Sequence, residues 1–114
     1  RVVKSTGDGA LATFDGPARA LYCAHGLRAA LSEIGLRTRI GLHTGEIEPA
    51  DDDVRGLAVH IAARVAARAA ADEILCSRTV ADLVLGSGIG FERRGIHQLK
   101  GVPGDWPLYA ASTP

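Results

Sequence analysis

Val2 and Val3 open a short strand-like run that ends at Lys4, and after Thr6-Gly7-Asp8-Gly9 a second run spans Ala10 to Phe14. Two short strands around a glycine-flanked turn predict a β-hairpin with a polar residue at its tip. The period then changes. Ala20, Leu21, Ala24, Leu27, Leu31 and Ile34 follow helical spacing behind Asp15-Gly16-Pro17, which offers a cap and a proline suited to a first turn. Gly35 stops that helix. Arg37 to His43 alternates as a half-buried strand does, Thr44-Gly45 turns the chain, and Glu46-Ile47-Glu48 runs back until Pro49 closes the segment, which predicts a second hairpin.

The second half changes period again. Asp51-Asp52-Asp53 precedes an alanine-rich stretch, Leu57 to Ala71, dominated by helix formers, with the acidic residues expected near the positive end of the helix dipole. Ile74-Leu75-Cys76 reads as a buried strand and Ser77 as the cap of a short helix ending near Gly86. Phe91 to Ile96 reads as a polar strand and Leu108-Tyr109-Ala110 as the closing one. No repeat, low-complexity tract or linker interrupts this order. Mixed strands and helices with hairpins favour an α+β layer, antiparallel or mixed, over a doubly wound parallel sheet.

Composition narrows the picture. With 114 residues, 46% of them hydrophobic, the chain can fill one compact core, so a single domain is expected. Lys+Arg 13 against Asp+Glu 13 gives zero formal charge, which excludes a basic glove for a nucleic acid polymer or an acidic tail. No apolar run is long enough for a membrane segment, and no charged start leads into a signal-like apolar region, so a cytoplasmic setting is expected. Cys23 and Cys76 lie in apolar surroundings without CxxC spacing and read as reduced, unreactive core thiols. The absence of methionine, and Arg1 dropping straight into a strand, lead us to expect a piece of a larger domain.

Two stretches could carry chemistry. Asp8 between two glycines at a hairpin tip is an exposed, rigidly held carboxylate that suits Mg²⁺ or Mn²⁺, but Asp-Gly is also ordinary turn chemistry. Lys4, on the strand entering that tip, can contact a ligand or reach past the sheet edge to water. In the second stretch, His60 and Arg64 are four apart and share a helix face. An arginine flanked by alanines and valines must reach solvent or pair with something negative, and guanidinium geometry suits phosphate oxygens. Arg68, one turn on, allows an ordinary solvated stripe as well. His60 alone reads as a satisfied, partly buried histidine, and His43-Thr44-Gly45-Glu46 as a structural turn rather than a metal pair. No hydrolase elbow, Walker loop or dinucleotide fingerprint occurs.

Four segments together resemble the catalytic domain of class III adenylate/guanylate cyclases: Lys4 to Gly9, Gly41 to Glu46, Asp53 to Gly56 with Val59 to Arg64, and Leu99 to Gly104. Their order and spacing match along nearly the whole chain, and the Ala/Arg-rich style is similar to the actinobacterial branch. The resemblance implies a ferredoxin-like α+β domain, with helices packed on the sheet, that forms a head-to-tail homodimer with active sites at the interface. The implied reaction is attack of the ATP ribose 3′-hydroxyl on the α-phosphate, giving cyclic AMP and pyrophosphate. Two Mg²⁺ or Mn²⁺ ions per site would assist, and Asp8 matches the second of two metal-holding aspartates.

By the same resemblance, Lys4 and Asp53 match the pair that selects adenine, the ammonium donating to ring N1 and the carboxylate accepting from the exocyclic amine. Arg64 matches the arginine that stabilises charge developing at phosphorus. His60 stands where the family has a ribose-orienting asparagine, so lower or more pH-sensitive activity is expected. The strand and helix with the first metal aspartate have no counterpart here. The expectation is therefore a partial cyclase domain, residues 1–114, whose own activity is in doubt, or else a cyclase-like dimerisation or nucleotide-sensing module without turnover.

Overall fold

The computed structural model describes residues 2–5, 10–12, 14, 16–45, 48–50 and 53–112. Its elements in chain order are β1 (Val2–Ser5), β2 (Ala10–Ala12), α1 (Pro17–Glu33), β3 (Arg39–Leu42), β4 (Glu48–Ala50), β5 (Asp53–Arg55), α2 (Leu57–Arg68), β6 (Glu73–Ser77), α3 (Arg78–Leu83), β7 (Phe91–His97) and β8 (Trp106–Ala111). A mixed four-stranded sheet runs in the order β3-β6-β8-β7, with β3 and β6 parallel and the other neighbours antiparallel. The expected α+β class with a mixed sheet and packed helices is what the chain adopts.

β6 explains why one central strand organises both sides of the sheet. Its side chains alternate between faces, so Ile74 and Cys76 pack with Leu21 and Ala24 of α1, Val80 of α3, Val84 and Ile89. Leu75 points the other way, into Ile61 and Val65 of α2, Leu99, Val102 and Leu108. A strand covered on both faces carries an unbroken apolar run, which is how Ile74-Leu75-Cys76 reads in the sequence. Burying side chains such as Ile61 and Val65 stabilises the α2 layer by about 1.5–3 kcal/mol each.

The β3–β6 register is set at its start by Asp72, a non-glycine residue with φ 62°. Its N–H donates to Thr38 O at 2.6 Å, and its Oδ1 accepts from Thr38 N at 3.2 Å. Arg28 of α1 adds a bond to Asp72 O at 3.3 Å. Asp is among the few non-glycine residues that visit the left-handed region, and here its side chain is held across the chain by Thr38 N.

Several local expectations need correction. In the second hairpin Glu48–Ala50 pairs with Asp53–Arg55, so Pro49 lies inside β4 opposite Val54, while Glu46 and Ile47 of the expected return strand lie outside the described residues. β3 pairs in parallel with β6, a partner some thirty residues on, which no local pattern encodes. The second helix stops at Arg68, and its first turn holds no acidic residue because Asp53 belongs to β5 and Gly56, at φ 129°, occupies the cap position. Ser77 does occupy the cap position of α3, but its side chain caps nothing there. Gly16 likewise precedes α1 without a side-chain cap, and Asp15 lies outside the described residues. Cys23 is exposed, so only Cys76 is a core thiol. None of the helices among the described residues is long and apolar enough to cross a membrane.

Candidate active site

The expected site residues are distributed over one hairpin, one further strand and one helix. Lys4 is on β1, opposite Leu11 of β2, and Asp53 opens β5, opposite Ala50. β1 and β5 are neighbours in space, so the two backbones expected to carry the adenine-reading pair do come together. The Lys4 and Asp53 side chains, and Asp8 altogether, lie outside the described residues. Among the described residues, no group of three His, Cys, Asp or Glu side chains could hold a metal ion.

The chain leaves β5 through Gly56 and enters α2, whose buried stripe of Ile61 and Val65 sits on the sheet. That seating fixes the neighbouring face, which bears His60, Arg64 and Arg68 at intervals of four. The seating is close. A Cβ added at Gly41 of β3 would meet Ala66 N and lie 2.6 Å from Ala66 Cα and 2.7 Å from Ala62 O, so helix and strand backbones are nearly in contact.

Arg64 is partly buried, and its Nε is both buried and without a hydrogen-bond partner among the described residues. A buried unpaired donor costs about 1–3 kcal/mol, and more on a cation. The two arginines differ in setting: Arg64 is partly buried, its Nε included, whereas Arg68 is exposed and has a partner, donating to Gln98 O at 3.0 Å.

His60 Nε2 lies 3.0 Å from the Lys100 carbonyl. A carbonyl only accepts, so Nε2 carries the proton of this bond, and Nδ1 is the ring nitrogen left over. The hydrogen bond from Nε2 is therefore already made within the chain. His60 is satisfied and partly buried, as a lone histidine is expected to be.

His43 is a structural residue, as its turn setting suggested. Its Nδ1 is 2.7 Å from the Oγ of fully buried Ser77, and its ring meets Trp106 edge-on with centroids 5.6 Å apart. Burial holds it below the ordinary histidine value of 6.5. The Ser77 hydroxyl missing from the α3 cap is spent here, tying the ends of β3 and β6 beside the start of β8. Neither this bond nor the carbonyl contacts of α2 had a sequence signal, because each joins residues thirty or more apart.

No protein-family model matches the chain. It is 32% identical over 111 residues to the protein named Putative adenylate cyclase 3 of Rhizobium meliloti, a match covering 90% of this chain and 19% of that protein. The adenylate/guanylate cyclase/hydrolase from Silicibacter pomeroyi superposes with a TM-score of 0.90 at 28% identity, covering 100% of this chain and 72% of that one. The chain has the fold of the class III adenylate/guanylate cyclase domains, and the proteins it is similar to in structure and sequence carry cyclase names. The adenylyl cyclase CyaB from P. aeruginosa shares the same fold, with a TM-score of 0.78 at 20% identity over 99% of this chain and 71% of that one. The chain spans about a fifth of the Rhizobium relative's length.

Proposed function

We propose that this domain, within its whole protein, converts ATP to 3′,5′-cyclic AMP and pyrophosphate at a head-to-tail homodimer interface. The observation that carries the proposal is Arg64, a buried guanidinium Nε with no partner among the described residues, on the helix that follows Asp53. An aligned, desolvated donor of this kind suits charge developing at phosphorus, and it needs no reorganisation as the reaction proceeds. Lys4 and Asp53, on neighbouring strands, would donate to adenine N1 and accept from its exocyclic amine. Guanine offers the opposite polarity at that edge and would leave both groups unpaired, so ATP is favoured over GTP.

Asp8 is the residue assigned to Mg²⁺ or Mn²⁺, two ions per site, which when bound would lower the pKa of the attacking ribose hydroxyl. Beside that metal role of Asp8, the contacts to the nucleotide are assigned to Arg64, Lys4 and Asp53. His60 stands in the ribose-orienting position, and with Nε2 held by Lys100 O it is Nδ1 that would be left for a sugar hydroxyl.

That last contact favours a second reading, a cyclase-like dimerisation or nucleotide-sensing module without turnover. Mn²⁺-dependent cyclic AMP formation by the whole protein separates the two, with Asp8→Ala and Arg64→Ala as controls. Product lost in both variants supports the cyclase. ATP binding with no product above the Asp8→Ala background supports the sensing module and sinks the first proposal.

A further inference from the structure

Three side chains, His60, Arg64 and Arg68, succeed one another along one face of α2, and the outer two make the same kind of contact. His60 Nε2 donates to Lys100 O at 3.0 Å, and Arg68 Nη2 donates to Gln98 O at 3.0 Å. Both acceptors are main-chain carbonyls of one turn, two residues apart, closed by a bond from Val102 N to Leu99 O at 3.0 Å. The donors are eight residues apart, about 12 Å along the helix, so the two side chains converge on the turn. Between them lies Arg64, whose Nε has no partner among the described residues.

The turn is fitted to the ring. Gly101 has φ 78°, and a Cβ there would lie 3.0 Å from His60 Nε2. Leu99 and Val102 anchor the turn from below, buried against Ile61 and Val65. The same turn walls a shallow groove of about 500 Å³ that also borders Arg68 and Gly104.

We propose that His60 and Arg68 are positioning residues that clamp the Gln98–Gly101 turn to α2 by its carbonyls and so hold the wall of the groove that Arg68 borders. On this assignment the histidine at position 60 acts chiefly through the loop. Asparagine would end nearer the helix backbone and could not replace it there. Glutamine, whose amide nitrogen extends about as far as Nε2, could. The consequence for turnover rests on the cyclase proposal; the clamp itself rests only on the geometry.

Hydrogen exchange of the whole protein tests the clamp without reference to activity. His60→Ala and Arg68→Ala should each speed exchange at Val102, whose N–H closes the turn, about three- to tenfold, the range expected for losing one ordinary hydrogen bond, while α2 amides stay as in the parent. His60→Gln should restore protection and His60→Asn should not. In the cyclase assay, Arg68→Ala should lower kcat while KM for ATP stays within about twofold, since the nucleotide contacts assigned to Arg64, Lys4, Asp53 and His60 remain. Unchanged exchange in both alanine variants overturns the clamp. So does equal protection by asparagine and glutamine, or a speeding of α2 amides that matches the loop. A parent protein that forms no cyclic AMP overturns the cyclase proposal while the exchange data still decide the clamp.

Discussion

Gly41→Ala isolates the contact on which the position of α2 depends. The added methyl would meet Ala66 N and lie within 2.6–2.7 Å of Ala66 Cα and Ala62 O, all main-chain atoms of α2 that no rotamer change can move aside. Carbon contacts are comfortable at roughly 3.5–4.0 Å, so the helix must retreat by about 1 Å along its whole seat. That retreat opens the packing of Ile61 and Val65 on Leu75 and Leu108. Overpacking typically costs about 1–3 kcal/mol, and main chain against main chain belongs at or beyond the upper end. Against a total stability of roughly 5–15 kcal/mol, a loss of about 3 kcal/mol is large. It corresponds to a Tm lower by about 12 °C or more for a domain of this size.

Urea unfolding, read as a midpoint shift at constant slope, measures the change. Gly26→Ala is the matched control: Gly26 lies exposed in mid α1 with nothing within 4 Å of its new Cβ, so it should gain about 0.5–1 kcal/mol. A Gly41→Ala protein within 1 kcal/mol of its parent, with Gly26→Ala behaving as expected, would refute the claim that α2 and β3 touch through their backbones.

Three further outcomes follow from single sites. Arg64→Ala should lower cyclase turnover about 10²–10³-fold with an unfolding midpoint no lower than the parent's, because it removes a preorganised charge contact and an already unsatisfied buried donor; retained kcat would discard the phosphate role. His43 is held below 6.5 by burial, and His25 by burial and then the nearby Arg28 guanidinium, with a backbone contact from Ser112 acting in the other direction. The unfolded chain then binds more protons than the folded one, so this stability is present above about pH 6.5 and is lost as pH falls through the lowered folded values. Urea midpoints taken from pH 7.5 down to 5 should fall, with a shallower slope in His43→Gln. Thiol titration of the native protein should modify Cys23 alone, since Cys76 is buried and its pKa is pushed up to about 12; Cys76 should react only after unfolding.

The sequence by itself determined the local elements and the likeness to the cyclases. Periodicity found the first helix, the buried run at Ile74-Leu75-Cys76 and the short helix after Ser77, because each is set by neighbours within a turn or a pleat. Motif order from Lys4 to Gly104 found the cyclase fold. Whatever depends on partners distant in the chain was decided only by the tertiary structure. The parallel pairing of β3 with β6, and the hairpin that gave Asp53 to a strand instead of a helix start, are of this kind. So is the diversion of the Ser77 hydroxyl from its cap to His43. Spacing left Arg64 and Arg68 equivalent, two arginines one turn apart. Packing against the sheet and the Gln98–Gly101 turn made one a buried donor without a partner among the described residues and the other a clamp, because burial and carbonyl direction are properties of the assembled layers and not of the helix alone.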